Sequence, residues 1–528
     1  MKYILLIHPP LVKPCEPPAG LAKLAGSMNH HNIPCKVIDA NIEGISSLLL
    51  KNGTEKNYPL KEERGIFKEA SIGNTRDKWT SRSFRCLKNN IAALNDWGVY
   101  RNIDRYKRAV IDINRVLAVS ASHCNVRLSL SNYIDRDLSP VRSADLIKAS
   151  ETPELNPFYR YFKKMFLWAL EKEHPSLVGF SLNYLSQALC TFAMIGFLRR
   201  EYPGIRIVLG GGLVTSWVRR PGWSNPFKGL VDDLVAGPGE GKLLSIFGIP
   251  RLENNVNPNY NGLFGNAYLA PGTVLPYSAS SGCYWNKCSF CPERAEGNPY
   301  EPVPIDWAIK DLRNLTEKTK PVLVHLLDNA LSPALLKAIA ESFFSVPWYG
   351  FARISSHLTD LDFCLALKRS GCVMLQLGLE SGDQEVLDNM QKGFDLMTAS
   401  SVLKTLKKAG IATYVYLLFG TPSETIAGAR KTLDFTARHN GEIDFLNLAV
   451  FNLPAYSPEV KELDTDAFYE GDLSLYRSFL HPRGWGRNCV RQFLSHEFKK
   501  HPAVASIMRK SPPIFTSNHA PFFVMQPR

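Results

Sequence analysis

A chain of 528 residues is long enough for two or three domains, and its 45% apolar and 21% charged content is ordinary for a globular protein. No stretch nears the roughly eighteen apolar residues of a membrane span, and the YILLI run is too short for a secretory signal, so we expect a soluble, cytoplasmic protein. The formal net charge of +13 is spread without a Lys/Arg block or an RNP-type aromatic motif, which reads as a solvated surface rather than a nucleic-acid face.

Tyr3–Ile7 in KYILLIHPP is an apolar run ending at Pro9 and Pro10, the pattern of a buried parallel strand entering a loop. A helix follows in PPAGLAKLAGSMNHH, then a strand at Lys36–Ile38 ending on Asp39. Residues 45 to about 170 are mostly helical and polar, an insertion by length, with Trp97, Tyr100 and Tyr106 either capping a site or packing its own core. The βα alternation resumes with strand Leu177–Phe180, a helix through ALCTFAMIGFLRREY, strand Ile205–Leu209 and a Gly-rich turn in AGPGEG. This predicts a doubly wound parallel sheet over residues 1–250, with ligands expected at the C-terminal ends of its strands. Residues 251–271 read as a linker. A second α/β domain of about six βα units spans 272–455, and 456–528 form a mixed C-terminal extension.

Eleven cysteines, an odd number, argue against a disulfide framework. Three of them, Cys283, Cys288 and Cys291, crowd into SGCYWNKCSFCPE at the first βα loop of the second domain. Three thiolates can ligate three irons of a 4Fe–4S cluster and leave the fourth iron open. Zinc is the competing reading, but no fourth Cys or His lies nearby; a redox pair at Cys288 and Cys291 would leave Cys283 unexplained. Cys364 and Cys372 read as core, and Cys489 as buried or lining the site from the tail. The isolated histidines, among them His174, His325, His496 and His519, read as packed or exposed.

Here the sequence resembles the radical S-adenosylmethionine (SAM) superfamily, whose three-cysteine loop follows the first strand of a partial (β/α)6 barrel. The family spacing is C-x3-C-x2-C; this chain has C-x4-C-x2-C, with Tyr284 to Lys287 between the first two cysteines. The resemblance implies Phe290 near the SAM adenine and, in LGLESGDQEVLDNMQKG, Glu380 and Ser381 near the SAM ribose and carboxylate. It also implies Asp328 in HLLDN at the SAM amine, Arg353 in FARIS at a carboxylate, and Gly420 at the turn of YLLFGTPSET.

The first domain resembles the cobalamin-binding domain attached to many radical SAM enzymes. Gly210, Gly211 and Gly239 would let the backbone approach the corrin and its nucleotide tail, with Ser181 and Thr215 offering hydroxyls. Cobalamin domains with a histidine ligand carry D-x-H-x-x-G; here Asn41 stands at the histidine position, so the resemblance implies cobalamin bound without a lower histidine ligand, His8 being a minor competitor. The implied enzyme cleaves SAM reductively to a 5′-deoxyadenosyl radical and C-methylates an unactivated carbon. It would draw electrons from an external donor such as flavodoxin or ferredoxin and act as a monomer on an unidentified substrate, with no membrane partner. Radical cyclisation or oxidation without methyl transfer is the alternative; a tRNA methylthiotransferase or a non-catalytic sensor ranks below it.

Overall fold

The computed structural model describes residues 3–50, 78–249, 256–264, 267–342, 346–467 and 470–525. They fall into two compact units, residues 1–271 with 470–473, and residues 272–469 with 474–528.

The first unit is built on five parallel strands, β1 (Ile4–Ile7), β2 (Cys35–Ile38), β3 (Leu177–Ser181), β4 (Arg206–Gly210) and β5 (Asp233–Leu234), in the order β2-β1-β3-β4-β5. Strand β1 is buried along its whole length because both its neighbours and both sheet faces are covered, which is why it reads as unbroken apolar sequence. The order reverses between β1 and β3, and the loops that leave their C-terminal ends define the crevice where such folds hold ligands. The helix Leu185–Glu201 is buried from Gln187 to Leu198, all the way round. The insertion explains this: its helix Ser143–Glu151 crosses so closely that a Cβ on Gly196 would lie 1.8 Å from the Ser150 carbonyl oxygen. The insertion begins at once after β2, with helix Ala40–Leu49, and includes a short hairpin, Val126–Leu128 with Tyr133–Asp135; its residues 51–77 lie outside the described residues. Tyr100 and Tyr106 are buried in it, so they serve packing.

The expected linker is corrected in part. Residues 251–255 and 265–266 lie outside the described residues, but the remainder is packed, not free. Asn259 N–H donates to the Ala22 carbonyl at 2.8 Å, Leu269 N–H to that of Pro14 at 2.8 Å, and Tyr260 is buried.

The second unit carries six strands, β6 (Val274–Tyr277), β7 (Leu323–Leu331), β8 (Trp348–Ala352), β9 (Cys372–Glu380), β10 (Ala412–Phe419) and β11 (Phe445–Val450), all parallel and adjacent in chain order. Parallel neighbours need crossovers, supplied by helices Ile305–Thr319, Pro333–Glu341, Leu361–Arg369, Leu396–Lys408 and Ile426–Arg438. Ser332, Asp360, Asp395 and Thr425 cap four of these by accepting backbone N–H bonds. Leu453–Pro454, Tyr476–Phe479 and Thr465–Ala467 form a three-stranded antiparallel sheet, followed by helices Arg487–Phe493, Pro502–Lys510 and Thr516–Val524. Cys364 and Cys372 are core residues; Cys489 is exposed, against the expectation of burial.

Candidate functional site

The cysteine loop leaves the C-terminal end of β6 and is fixed at its base. Ser280 and Ser281 pair antiparallel with Pro302 and Glu301. Gly282 has φ +70°, and a Cβ there would lie 2.2 Å from the Pro299 carbonyl oxygen, so the position admits only glycine. Asp328, buried on β7, accepts the Ala279 N–H at 3.1 Å and the Ser280 hydroxyl, while the Asn329 amide donates to the Gly282 carbonyl at 3.3 Å. Both Asp328 oxygens are therefore used inside the fold. Burial pushes its carboxyl up, and these hydrogen bonds oppose the shift. Asp328 thus positions the loop.

Cys283, Cys288 and Cys291 are free thiols, each half-buried. The four-residue spacer turns at Asn286, with φ +45°, and is pinned by Trp285. The indole N–H donates to the Gln391 carbonyl at 3.0 Å, and its ring covers Gly393, where a Cβ would lie 2.2 Å from the ring. Ser289 N–H adds a bond to the Met390 carbonyl at 3.1 Å. The Arg353 guanidinium, just beyond β8, stacks 4.0 Å from the Trp285 ring centre, reaches Cys288 Sγ at 3.8 Å and donates to the Lys392 carbonyl. It is an internal partner of the loop. Burial pushes the free Cys291 thiol up to about 11, so ligation there displaces a proton.

Beside the loop, β9 ends on Glu380 with φ +67°, an uncommon backbone for a residue with a side chain. Its carboxylate folds back over Gly378, where a Cβ would lie 2.6 Å from Oε1, and meets Lys392 Nζ at 3.3 Å. Both side chains are largely buried, 13% and 6% exposed. The Lys392 ammonium lies 5.5 Å from the Phe290 ring centre and 5.9 Å from that of Phe394. Cys288, Phe290, Arg353 and Glu380 thus meet through Lys392, a residue that sequence reasoning passed over because a lone lysine reads as solvated. Its one signal was position, between Gln391 and Gly393 in the stretch already marked by Glu380.

Ser381 and Gly420 bond within the fold. The Ser381 hydroxyl is enclosed, 3.2 Å from the Thr432 hydroxyl and accepting Asp383 N–H at 3.1 Å; it holds the loop that carries Glu380. Gly420, with φ +85°, gives its N–H to Glu424. Glu424 is fully buried, also accepts the Trp485 indole N–H at 2.9 Å, and has no partner on Oε1. Burial pushes this carboxyl up to about 7.

In the first unit the loops leaving β1, β3 and β4 are laced together. Gln187 donates to the Pro9 carbonyl at 2.8 Å and accepts Asn183 N–H at 2.9 Å, and Asn183 in turn bonds the Ser181 hydroxyl at 3.0 Å and accepts Gly212 N–H at 2.9 Å. Gly211 has φ +109°, and a Cβ there would lie 2.4 Å from the Leu182 carbonyl oxygen. Thr215 accepts Gly237 N–H at 2.9 Å; Gly210 and Gly239 line the neighbouring turns, closest to Val235 and Leu24. Asn41 is buried and fully used, accepting Val12 N–H at 2.9 Å and donating to the Val12 carbonyl at 3.1 Å. His8, at the end of β1, is buried with its Nδ1 unpartnered, and burial keeps the ring neutral. This bare-backbone cradle at the β1/β3 crevice, with one orphaned imidazole nitrogen, fits a large ligand approached by main chain.

Residues 277–436, which hold the cysteine loop, Arg353, Glu380 and Lys392, match the Radical SAM superfamily profile. That stretch is a radical SAM domain. The chain is 25% identical over 251 residues to an uncharacterized methyltransferase of Pyrococcus horikoshii, covering 42% of this chain and 52% of that protein. It is 26% identical over 197 residues to the bacteriochlorophyllide d C-12(1)-methyltransferase of Chlorobaculum tepidum, covering 36% and 43%. The chain thus spans about half the length of these curated relatives. Its fold is similar to that of TsrM from Kitasatospora setae, a radical SAM methyltransferase solved with tryptophan and a SAM analogue, at TM-score 0.52 and 15% identity, covering 98% of this chain and 90% of that one. No helix among the described residues is long and apolar enough to cross a membrane.

Proposed function

We propose that this protein is a radical SAM enzyme, a cobalamin-dependent methyltransferase acting at an unactivated carbon. Cys283, Cys288 and Cys291 would hold the 4Fe–4S cluster, and the crevice formed by Ser181, Gly210, Gly211, Thr215 and Gly239 would hold cobalamin. Bound there, a cluster supplies single electrons and an open iron, and cobalamin supplies a methyl carrier. The chain's own part is positioning: Arg353 and Trp285 fix the loop, and Glu380 with Lys392 offers an anion and a cation to the charged and hydroxyl groups of SAM. The observation that carries this reading is the three-thiol loop pinned through Trp285 and Arg353 to the segment bearing Lys392, the partner of Glu380. Asn41, spent on Val12, supports cobalamin without a lower histidine ligand from that position. The methyltransferase names of the relatives and the tryptophan bound by TsrM point the same way. A monomer in the cytoplasm, served by a flavodoxin or ferredoxin, completes the proposal.

The test is anaerobic reconstitution with iron, sulfide and hydroxocobalamin, followed by removal of excess. Retained cobalamin bands beside iron–sulfur absorption are expected, with labelled methyl leaving SAM once substrate is supplied. Iron–sulfur absorption without cobalamin would remove the methyl carrier and leave radical cyclisation or oxidation.

A further inference from the structure

Arg353 follows β8 directly and stands half-buried against the cysteine loop. Every contact of its guanidinium is with that loop or the segment that pins it. It reaches Cys288 Sγ at 3.8 Å, donates to the Lys392 carbonyl, stacks 4.0 Å from the Trp285 ring centre and shares a hydrogen bond with the Tyr284 hydroxyl. Two of the four spacer residues, Tyr284 and Trp285, thus hold this one side chain. Among the described residues no carboxylate pairs with it. Lys392, the neighbouring cation, is different: Glu380 balances its charge at 3.3 Å.

A charge withdrawn from water without a counter-charge is costly. The fold accepts that cost and aims the charge at sulfur. A neutral thiol gives little in return, whereas a thiolate that ligates a cluster is an anion and would balance the guanidinium. Three free, half-buried thiols in one loop are soft donors of the kind a cluster takes. Hydrogen bonds and charges at the ligand sulfurs are among the terms that set a cluster's reduction potential. One-electron reduction makes the cluster one unit more negative. A cation fixed at a ligand sulfur therefore stabilises the reduced form more than the oxidised one.

We infer that Arg353, held by Tyr284 and Trp285 against Cys288, raises the reduction potential of the cluster that these thiols would hold. The inference rests on the proposed function in taking that cluster as 4Fe–4S. No bond forms or breaks in the step: an external one-electron donor is oxidised and the cluster is reduced. No proton moves at Arg353, because a guanidinium stays charged throughout. The longer spacer thereby gains a purpose, since it brings both the ring and the hydroxyl that fix the cation beside the middle cysteine.

The experiment uses the full chain, reconstituted anaerobically with iron and sulfide and without SAM or cobalamin, so that a lost SAM contact cannot move the result. The cluster is titrated with titanium(III) citrate, its reduced fraction is read by EPR, and iron is counted per chain. Arg353→Met keeps the stem and removes the charge. It should make reduction about tenfold less favourable, which for one electron is a potential roughly 59 mV lower. Arg353→Lys keeps the charge but loses the fork, and should fall between Arg353→Met and wild type. An unchanged or raised potential in Arg353→Met would overturn the inference. So would iron lost from that variant with an unchanged potential in the clusters that remain, the sign of a merely structural role. Should Arg353→Met hold no cluster, Arg353→Lys decides: a potential below wild type supports the inference, and one equal to wild type overturns it. Wild-type protein that takes up no cluster would instead strike the proposed function, so the two failures are distinguishable.

Discussion

Replacing Lys392 by Met probes the centre of the candidate site. The substitution keeps length and apolar stem but removes the ammonium 3.3 Å from Glu380. Both side chains are under one-seventh exposed, so solvent screens the pair weakly. Breaking a buried pair from one side costs about 3–5 kcal/mol, because the remaining charge is left uncompensated. A unit of this size shifts its midpoint by about 2–4 °C per kcal/mol, so Lys392→Met should lower the second unit's thermal midpoint by roughly 6–20 °C. Removing both charges, in Lys392→Met with Glu380→Gln, should restore most of that loss, since no charge is then stranded. Neither variant should retain SAM. Differential scanning calorimetry with equilibrium dialysis of SAM reads all of this. A single variant within about 0.5 kcal/mol of wild type, the range of ordinary surface changes, would refute the claim that the pair is buried and coupled.

Other consequences are equally direct. Glu424 has its carboxyl raised from 4.5 to about 7, so it contributes stability that is complete below the unfolded value and is lost as pH rises through about 7. Midpoints measured between pH 5 and 8 should therefore fall in wild type and flatten in Glu424→Gln, and parallel curves would contradict the assignment. Gly393→Ala drives a methyl group into the Trp285 ring at a backbone φ of +72°, so the loop should lose its anchor and the reconstituted protein most of its iron. Iron analysis matching wild type would show that Trp285 is not the pin. Cobalamin added to the protein and reduced to the Co(II) state should show no EPR nitrogen superhyperfine splitting from a protein ligand, that is, none that changes on 15N-labelling of the protein, because Asn41 is committed to Val12. If that splitting appears in wild type and disappears in His8→Ala, His8 is the ligand after all.

The parallel sheets were legible because buried strands such as ILLI and LVGF read as unbroken apolar runs, and helices must lie between them. The cysteine loop was legible because three thiols in nine residues have few bland explanations. What escaped was pairing at a distance. Little local marks Lys392 as buried, since its partner Glu380 lies twelve residues back and the Phe290 ring comes from the cysteine loop. Asp328 and Ser381 stand in the right stretches, yet their polar atoms turn inward to Ala279, Ser280 and Thr432, an orientation that spacing does not report. The short tail strands were missed because segments of two to four residues hold no periodicity to read.

The position of helix Thr516–Val524 also has a bearing on how the chain is made. All six strands of the second sheet emerge from the ribosome before the segment that lies on β9 and β10. Until then the layer of Tyr414, Tyr416 and Phe445 is bare, an aromatic surface of the kind that draws chaperones or self-association. Translation that pauses or stops ahead of residue 516 would thus release a sheet complete in its strands but uncovered, and insolubility rather than inactivity would be the first symptom.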